Sequence, residues 1–221
     1  MNTLVPFRAS ALVRRSFGQY LLRVLGALLV VLGAASGAHA TSLEVTVRDD
    51  AGRLLKDAVV MLESPAASRA VRPLDSAAIS QRGKAFVPSV LVVPRGTPVS
   101  FPNEDTVRHH VYSFSEPKRF ELKLYIGTPP TPVVFDRAGV VVLGCNIHDD
   151  MLAWVVVTDT PYYGRTDAEG KVTLTQLPAG DFQLRVWHQR LKEGQQVYSQ
   201  AQKVGSEPGR AAVTLQGLEA P

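Results

Sequence analysis

The sequence predicts an all-β protein containing two β-sandwiches, and three observations support this prediction. Short segments that alternate apolar and polar residues, or are continuously apolar, recur from residue 43 to residue 215. Pro, Gly, Asn and Asp separate these segments at short intervals. After residue 40, no segment has the apolar spacing of an amphipathic helix.

The strand segments follow one another along the whole chain after residue 40. The first is the clearest, because Leu43, Val45 and Val47 alternate with polar residues before a turn at Asp50-Ala51-Gly52. The other predicted strands are 58–62, 86–93, 98–101, 110–114, 120–125, 132–135, 139–143, 152–158, 171–177, 182–187, 197–204 and 212–215.

Composition places the chain among ordinary globular proteins. It is 221 residues long, 45% hydrophobic and 20% charged, which excludes disorder, collagen and a polytopic membrane protein. Its formal charge of +4 comes from Arg8, Arg14, Arg15 and Arg23, the only charged side chains among the first forty residues. The other 20 basic residues balance the 20 acidic ones, so no basic excess remains to bind nucleic acid.

Residues 1–40 have the pattern of a cleavable export signal. A basic region through Arg23 precedes an uncharged stretch over 24–38, and Ala38-His39-Ala40 is a small-residue cleavage site. The alternative is an uncleaved anchor, but a spanning helix needs about 20 apolar residues and this run is shorter. We therefore expect a periplasmic protein that starts at Thr41 and keeps no stable membrane anchor; Arg14-Arg15 leaves open whether export is general or twin-arginine.

Cys145 is the only cysteine. It cannot form an intramolecular disulfide, and an exposed free thiol is a liability in an oxidising compartment. We therefore expect Cys145 to be buried and inert, or bound to something.

The residues with metal-binding chemistry lie in the middle third of the chain. Cys145, His148 and Met151 fall within seven residues between two apolar segments. Upstream, Arg108-His109-His110-Val111 supplies a further imidazole at the start of another predicted strand. Two imidazoles, a thiolate and a thioether are the ligands of a type 1 copper site, whereas no standard zinc site needs the methionine.

Each of these residues alone has a structural explanation. A lone cysteine is usually a small buried hydrophobe, a methionine can begin a core strand, and a histidine can be a polar loop residue. Their joint spacing favours the copper site over these separate explanations.

The segment 80–159 resembles a cupredoxin, and within that family it is most similar to amicyanin and plastocyanin. Cys145, His148 and Met151 reproduce the C-x-x-H-x-x-M spacing of amicyanin. The resemblance implies a Greek-key β-sandwich that holds one type 1 copper ion.

The residues around His109 and His110 show the same resemblance, and it indicates which of these two histidines is the ligand. The amicyanin ligand follows an Asn by six positions and is followed by one residue and a Val, as Asn103, His109 and Val111 are here. The resemblance therefore implies that His109, not His110, is the ligand. It also implies that Asn103 and His110 lie just behind the ligands, with the His110 amide bonded to the Cys145 sulfur.

The sequence departs from the family pattern in three places. His110 stands where plastocyanin and amicyanin usually have Asn. Leu143 and Gly144 stand where those proteins often have an aromatic residue near the cysteine. Asp149 and Asp150 stand between the loop ligands, where amicyanin-like proteins tend to have apolar residues. The two acids predict a docking site for a basic redox partner, and a solvated loop is the alternative.

The flanks of this segment share a second resemblance, to carboxypeptidase-regulatory-like β-sandwiches. The opening half is represented by 45–62, and the closing half by Thr166-Asp167-Ala168-Glu169-Gly170 and Leu177-Pro178-Ala179-Gly180. This implies that 41–65 and 160–221 form one Ig/prealbumin-like sandwich, with the cupredoxin nested in or beside it. Exported proteins described as methylamine-utilisation-like have this general pattern.

These features predict an electron-transfer protein and not an enzyme. Four protein ligands leave no vacant position on copper for a substrate. The resemblance implies a redox partner such as a cytochrome c or a periplasmic dehydrogenase or oxidase, with His148 as the electron exit. Copper storage or delivery, and a binding module with a vestigial site, are the alternatives.

Overall fold

The computed structural model describes residues 41–192 and 197–220, which form seventeen strands and one short helix. The predicted signal peptide, residues 1–40, lies outside these ranges. The first strands are β1 (Thr41–Asp49), β2 (Val59–Glu63), β3 (Ala77–Ala78), β4 (Ser80–Arg82), β5 (Ala85–Val87), β6 (Val90–Pro94) and β7 (Thr97–Ser100). The middle strands are β8 (His109–Ser113), β9 (Phe120–Tyr125), β10 (Val133–Phe135), β11 (Gly139–Cys145) and β12 (Leu152–Thr158). The last strands are β13 (Tyr163–Arg165), β14 (Lys171–Leu177), β15 (Gly180–Trp187), β16 (Tyr198–Val204) and β17 (Gly209–Leu215).

Two sheets combine strands from the beginning and the end of the described chain. One has the order β14-β1-β17, and the other has the order β13-β2-β15-β16. Apolar residues from both sheets, including Leu43, Leu62, Leu174, Leu184 and Val213, share one buried core. Side chains alternate between the two faces of β1, so Leu43, Val45 and Val47 are buried and line one side of this core.

The middle of the chain forms a second core with its own sheets. The largest sheet has the order β6-β12-β11-β8-β9, and a smaller one has the order β10-β7-β3. Their buried side chains include Phe101, Val111, Phe135 and Leu143. Ile79, just before the predicted boundary at residue 80, belongs to the same core.

A third, smaller cluster joins residues from the flanking and the middle sheets. It contains Met61, Val90, Val156 and Trp187, and the Trp187 ring lies 6.3 Å from that of Trp154.

The all-β fold class is confirmed, and the local differences have identifiable causes. The predicted strand 86–93 is two strands, β5 and β6, because Pro88 has no amide to continue the ladder. Residues 65–70 form a helix, α1 (Pro65–Ala70), that the sequence analysis missed. Ser64 caps it by accepting from the Ala67 amide, and its length of six residues is too short for an amphipathic pattern. The nesting of two domains at 41–65, 80–159 and 160–221 stays a prediction.

Over residues 41–192 and 197–220, no helix has the length and apolar character that crossing a membrane requires.

Candidate metal centre

Two neighbouring strands bring a histidine and the cysteine together. Cys145 ends β11 and His109 begins β8, and these strands pair antiparallel with Cys145 opposite Val111. Side chains alternate between the two faces of a strand, so His109 and Val111 both point into the core. His110 lies between them, half-buried on the other face. The alternation of β8 therefore turns His109, and not His110, toward Cys145.

Three ligand-type atoms converge at this edge of the core. The Cys145 Sγ atom lies 3.7 Å from His109 Nδ1 and 3.7 Å from His148 Nδ1. All three atoms lie within 4.8 Å of one another. His109 is 0% exposed and Cys145 is 4% exposed, whereas His148 is half-buried. The group thus has a buried side and one edge near the protein surface.

Met151 closes the loop that carries His148. Its amide donates to the His148 carbonyl at 3.1 Å, and β12 starts at the next residue. The Met151 side chain is 1% exposed and belongs to the same apolar cluster as Cys145. The short loop between β11 and β12 therefore fixes the positions of both residues relative to Cys145.

Asn103 shapes the segment that leads to His109. Its Nδ2 donates to the carbonyls of Val107 (2.8 Å) and Tyr125 (3.0 Å), and its Oδ1 accepts from the Asp105 amide (2.9 Å). Asn103 is buried, so these bonds satisfy its side chain and hold the 103–107 loop against β9. Its role behind a metal ligand stays a prediction.

His110 contacts β9 and the loop that follows β11. Its Nε2 lies 2.8 Å from Glu121 Oε1, and its carbonyl accepts from the Asn146 amide at 3.1 Å. The carbonyl of His110 therefore holds the start of the 146–151 loop, and a bond from its amide to the Cys145 sulfur stays a prediction.

Asp105 is a feature of the site that the sequence analysis missed. Its Oδ2 lies 2.8 Å from His109 Nε2, the ring nitrogen that faces away from Cys145. The same carboxylate accepts from the amides of Gly83 (2.6 Å) and Lys84 (2.9 Å). The Lys84 amide, the His109 ring and the Gly83 amide together hold the pKa of Asp105 below its ordinary value. No signal in the sequence marks this residue, because its partners Gly83 and Lys84 are more than twenty positions upstream.

Asp149 and Asp150 are both exposed beside His148. Neither forms an ion pair with another described residue. Their position leaves both carboxylates free to face solvent or a partner.

The chemistry of the donor set fits copper. A thiolate and two imidazoles close enough to share one ion suit a soft, redox-active metal, and Met151, buried in the same apolar cluster as Cys145, could add a thioether.

Comparisons with known proteins find similarity only among solved structures. No family model matches the chain, and no curated protein matches it. A purple cupredoxin from Nitrosopumilus maritimus is 24% identical over 37% of this chain and 99% of its own, with a TM-score of 0.34. An amicyanin variant in its reduced Cu(I) form is 21% identical over 45% of this chain and 98% of its own, with a TM-score of 0.34.

A Cu-containing nitrite reductase from Thermus scotoductus SA-01 is 27% identical over 40% of this chain, with a TM-score of 0.36. This chain spans only 23% of that reductase. In all three cases the similarity covers less than half of this chain.

Proposed function

We propose that the chain is a type 1 copper protein of the cupredoxin kind that transfers single electrons. His109, Cys145, His148 and Met151 would hold one copper ion. The observation that carries this proposal is the convergence of the Cys145 sulfur with two imidazole Nδ1 atoms, each 3.7 Å away.

When bound there, copper supplies a Cu(I)/Cu(II) couple that exchanges one electron. The protein's contribution is to keep the donor atoms in place. Cys145 and His109 lie at the ends of two paired strands, so the β8–β11 ladder fixes their separation. Because the donor atoms would move little when copper gains or loses an electron, electron exchange would be fast.

The surroundings of the donor atoms determine through which edge of the site electrons pass. Cys145 and Met151 lie in the apolar core, which excludes water from that side. His148 is half-buried on the loop between β11 and β12. Electrons therefore enter and leave through the edge that His148 occupies, which is where a partner protein would dock.

We propose no enzymatic activity for this site, because two imidazoles, a thiolate and a thioether leave no position for a substrate. The partner would be a redox protein, such as a cytochrome c or a periplasmic dehydrogenase or oxidase. Its docking surface would include Asp149 and Asp150 beside His148. Export to the periplasm belongs to the same proposal, and the signal-like pattern of residues 1–40 supports it.

Reversible redox cycling tests this function against copper storage or delivery. Copper-loaded protein comprising residues 41–221 is reduced and reoxidised repeatedly beside a Cu(I) chelator, and the retained copper is measured after each cycle. Electron transfer predicts that one copper per chain survives every cycle. Loss of copper to the chelator on reduction would indicate delivery, and no initial binding would indicate a module with a vestigial site.

A further inference from the structure

Both ring nitrogens of His109 are engaged, in opposite directions. Nδ1 lies 3.7 Å from the Cys145 sulfur, and Nε2 lies 2.8 Å from Asp105 Oδ2. The His109 side chain is fully buried, so neither nitrogen can exchange its partner for water. Which nitrogen carries the proton decides whether His109 can donate a lone pair toward Cys145 and His148.

The contacts of Asp105 determine this choice. Its two oxygens accept from the backbone amides of Gly83 and Lys84, which are donors only. An ionised carboxylate has no proton to give, so the imidazole nitrogen facing it must be an N–H donor. A neutral His109 then has its proton on Nε2 and its lone pair on Nδ1, the atom that faces Cys145.

A rigid hairpin holds the carboxylate in place. Gly83 and Lys84 are the two turn residues between β4 and β5, and both have positive φ (61° and 57°), as a tight two-residue hairpin turn requires. Their two adjacent amides point at one carboxylate. Arg82, the last residue of β4, forms an exposed ion pair with Glu104, and neither of these two side chains contacts His109.

We propose that Asp105 is the positioning residue of the copper site, which fixes His109 as its Nε2–H tautomer and ties this ligand to the β4–β5 hairpin. This inference rests on the proposed function, because it assigns Asp105 a role toward the same metal. A carboxylate behind a metal-binding imidazole raises the basicity of the ligand nitrogen. Asp105 therefore strengthens the bond from His109, favours Cu(II) and opposes dissociation of His109 on reduction.

The test compares Asp105→Leu with Glu104→Leu. Both variants replace one carboxylate of the same loop with an apolar side chain, but only Asp105 contacts His109. Leucine offers the Nε2–H group of His109 no acceptor, so the ring proton is no longer held on Nε2 and can move to Nδ1, where it blocks the ligand atom. The tautomer is read by ¹⁵N NMR of His109 in metal-free protein, and the copper dissociation constant and midpoint potential are then measured.

The expected result is an Nε2–H tautomer in the unmodified protein and in Glu104→Leu. Asp105→Leu should lose this tautomer, bind Cu(II) about 10- to 100-fold more weakly and have a higher midpoint potential. An Asp105→Leu protein that matches Glu104→Leu in tautomer, affinity and potential would overturn the proposal.

The unmodified protein provides a test that does not depend on how the variant folds. An Nδ1–H tautomer of His109 there would overturn the role of Asp105 alone, even if copper binds and gives a blue colour. Failure of the proposed function has a different signature. The tautomer would then be Nε2–H but no copper would bind, which would overturn the role of Asp105 toward the metal together with the function.

Discussion

Tyr112 occupies the space beside Gly144, the residue before Cys145. A Cβ atom added to Gly144 would come within 2.8 Å of both Cζ and Oη of Tyr112. The two residues are opposite partners across β8 and β11. Leu143 and Gly144 supply no aromatic ring beside Cys145, so the ring next to this part of β11 comes from the neighbouring strand β8.

We expect Gly144→Ala to destabilise the protein, because the new methyl group forces the Tyr112 ring out of its position. Overpacking of this kind lowers the free energy of unfolding by about 1–3 kcal/mol. Denaturant unfolding monitored by fluorescence measures the change. In a Tyr112→Ala background the same substitution should cost less, and an equal cost in both backgrounds would contradict the contact.

We expect the negative charges of Asp149 and Asp150 to affect the midpoint potential and the binding of a redox partner at the proposed electron exit. Replacing both with Asn should raise the midpoint potential, because two negative charges beside His148 favour Cu(II). It should also flatten the salt dependence of electron transfer to a basic cytochrome c, since exposed charges act over a Debye length of about 8 Å at physiological salt.

The control for this pair is Asp75→Asn with Glu207→Gln. It removes the same amount of charge from exposed positions outside the 146–151 loop. Equal potentials and equal salt slopes in the two double variants would show that Asp149 and Asp150 are only part of a solvated loop.

We expect the free energy of unfolding to depend on pH because of His188. Its Nε2 donates to the Lys56 carbonyl at 3.1 Å and its Nδ1 accepts from the Arg190 amide at 3.2 Å, so the ring is neutral in the fold. Burial is the main cause that lowers the pKa of His188 below its ordinary value. Below a pH of about 6.5 the unfolded chain therefore binds a proton that the folded chain does not. The free energy of unfolding consequently decreases as the pH is lowered.

A His188→Gln variant isolates this contribution. The gap in unfolding free energy between the unmodified protein and the variant should narrow as the pH falls from 8 to 5. A gap that stays constant across this range would show that His188 does not titrate between the folded and unfolded states.

We propose that the middle of the chain folds independently of its flanks. The buried residues of its core all lie within residues 79–157, whereas the other core draws members from both 43–67 and 174–215. A fragment of residues 72–159 should therefore give a dispersed NMR spectrum and a cooperative melt, and residues 160–221 alone should not. A cooperatively folded fragment of 160–221 would contradict the nesting.

The features that the sequence could predict are those with local signals. Alternation and turn residues predict the all-β fold class, and the short spacing from Cys145 to Met151 keeps these residues on one loop whatever the rest of the chain does. Alternation also explains the choice of histidine, because His109 shares the inward face of β8 with Val111, and His110 cannot.

The contacts that escaped prediction depend on strand register and turn conformation. Asp105 meets Gly83 and Lys84 only because the β4–β5 turn directs its amides at the 103–107 loop. Tyr112 meets Gly144 only in the observed register of β8 with β11. A shift of one residue in either place would remove the contact without changing any local pattern in the sequence.

We propose that His109, Cys145, His148 and Met151 hold a type 1 copper ion. The adjacent residues His109 and His110 provide a matched pair of variants that tests this ligand set. His109→Ala should abolish the blue colour and His110→Ala should keep it, because only His109 faces Cys145. The reverse result would show that the wrong histidine is assigned.

The most direct test is the optical and EPR spectrum of copper-loaded protein comprising residues 41–221, recorded beside Cys145→Ser. We predict an intense blue thiolate-to-copper band with narrow copper hyperfine splitting, and the loss of both in Cys145→Ser, because a hydroxyl cannot replace the thiolate. An unmodified protein with no blue band, or a Cys145→Ser variant that stays blue, would contradict the claim.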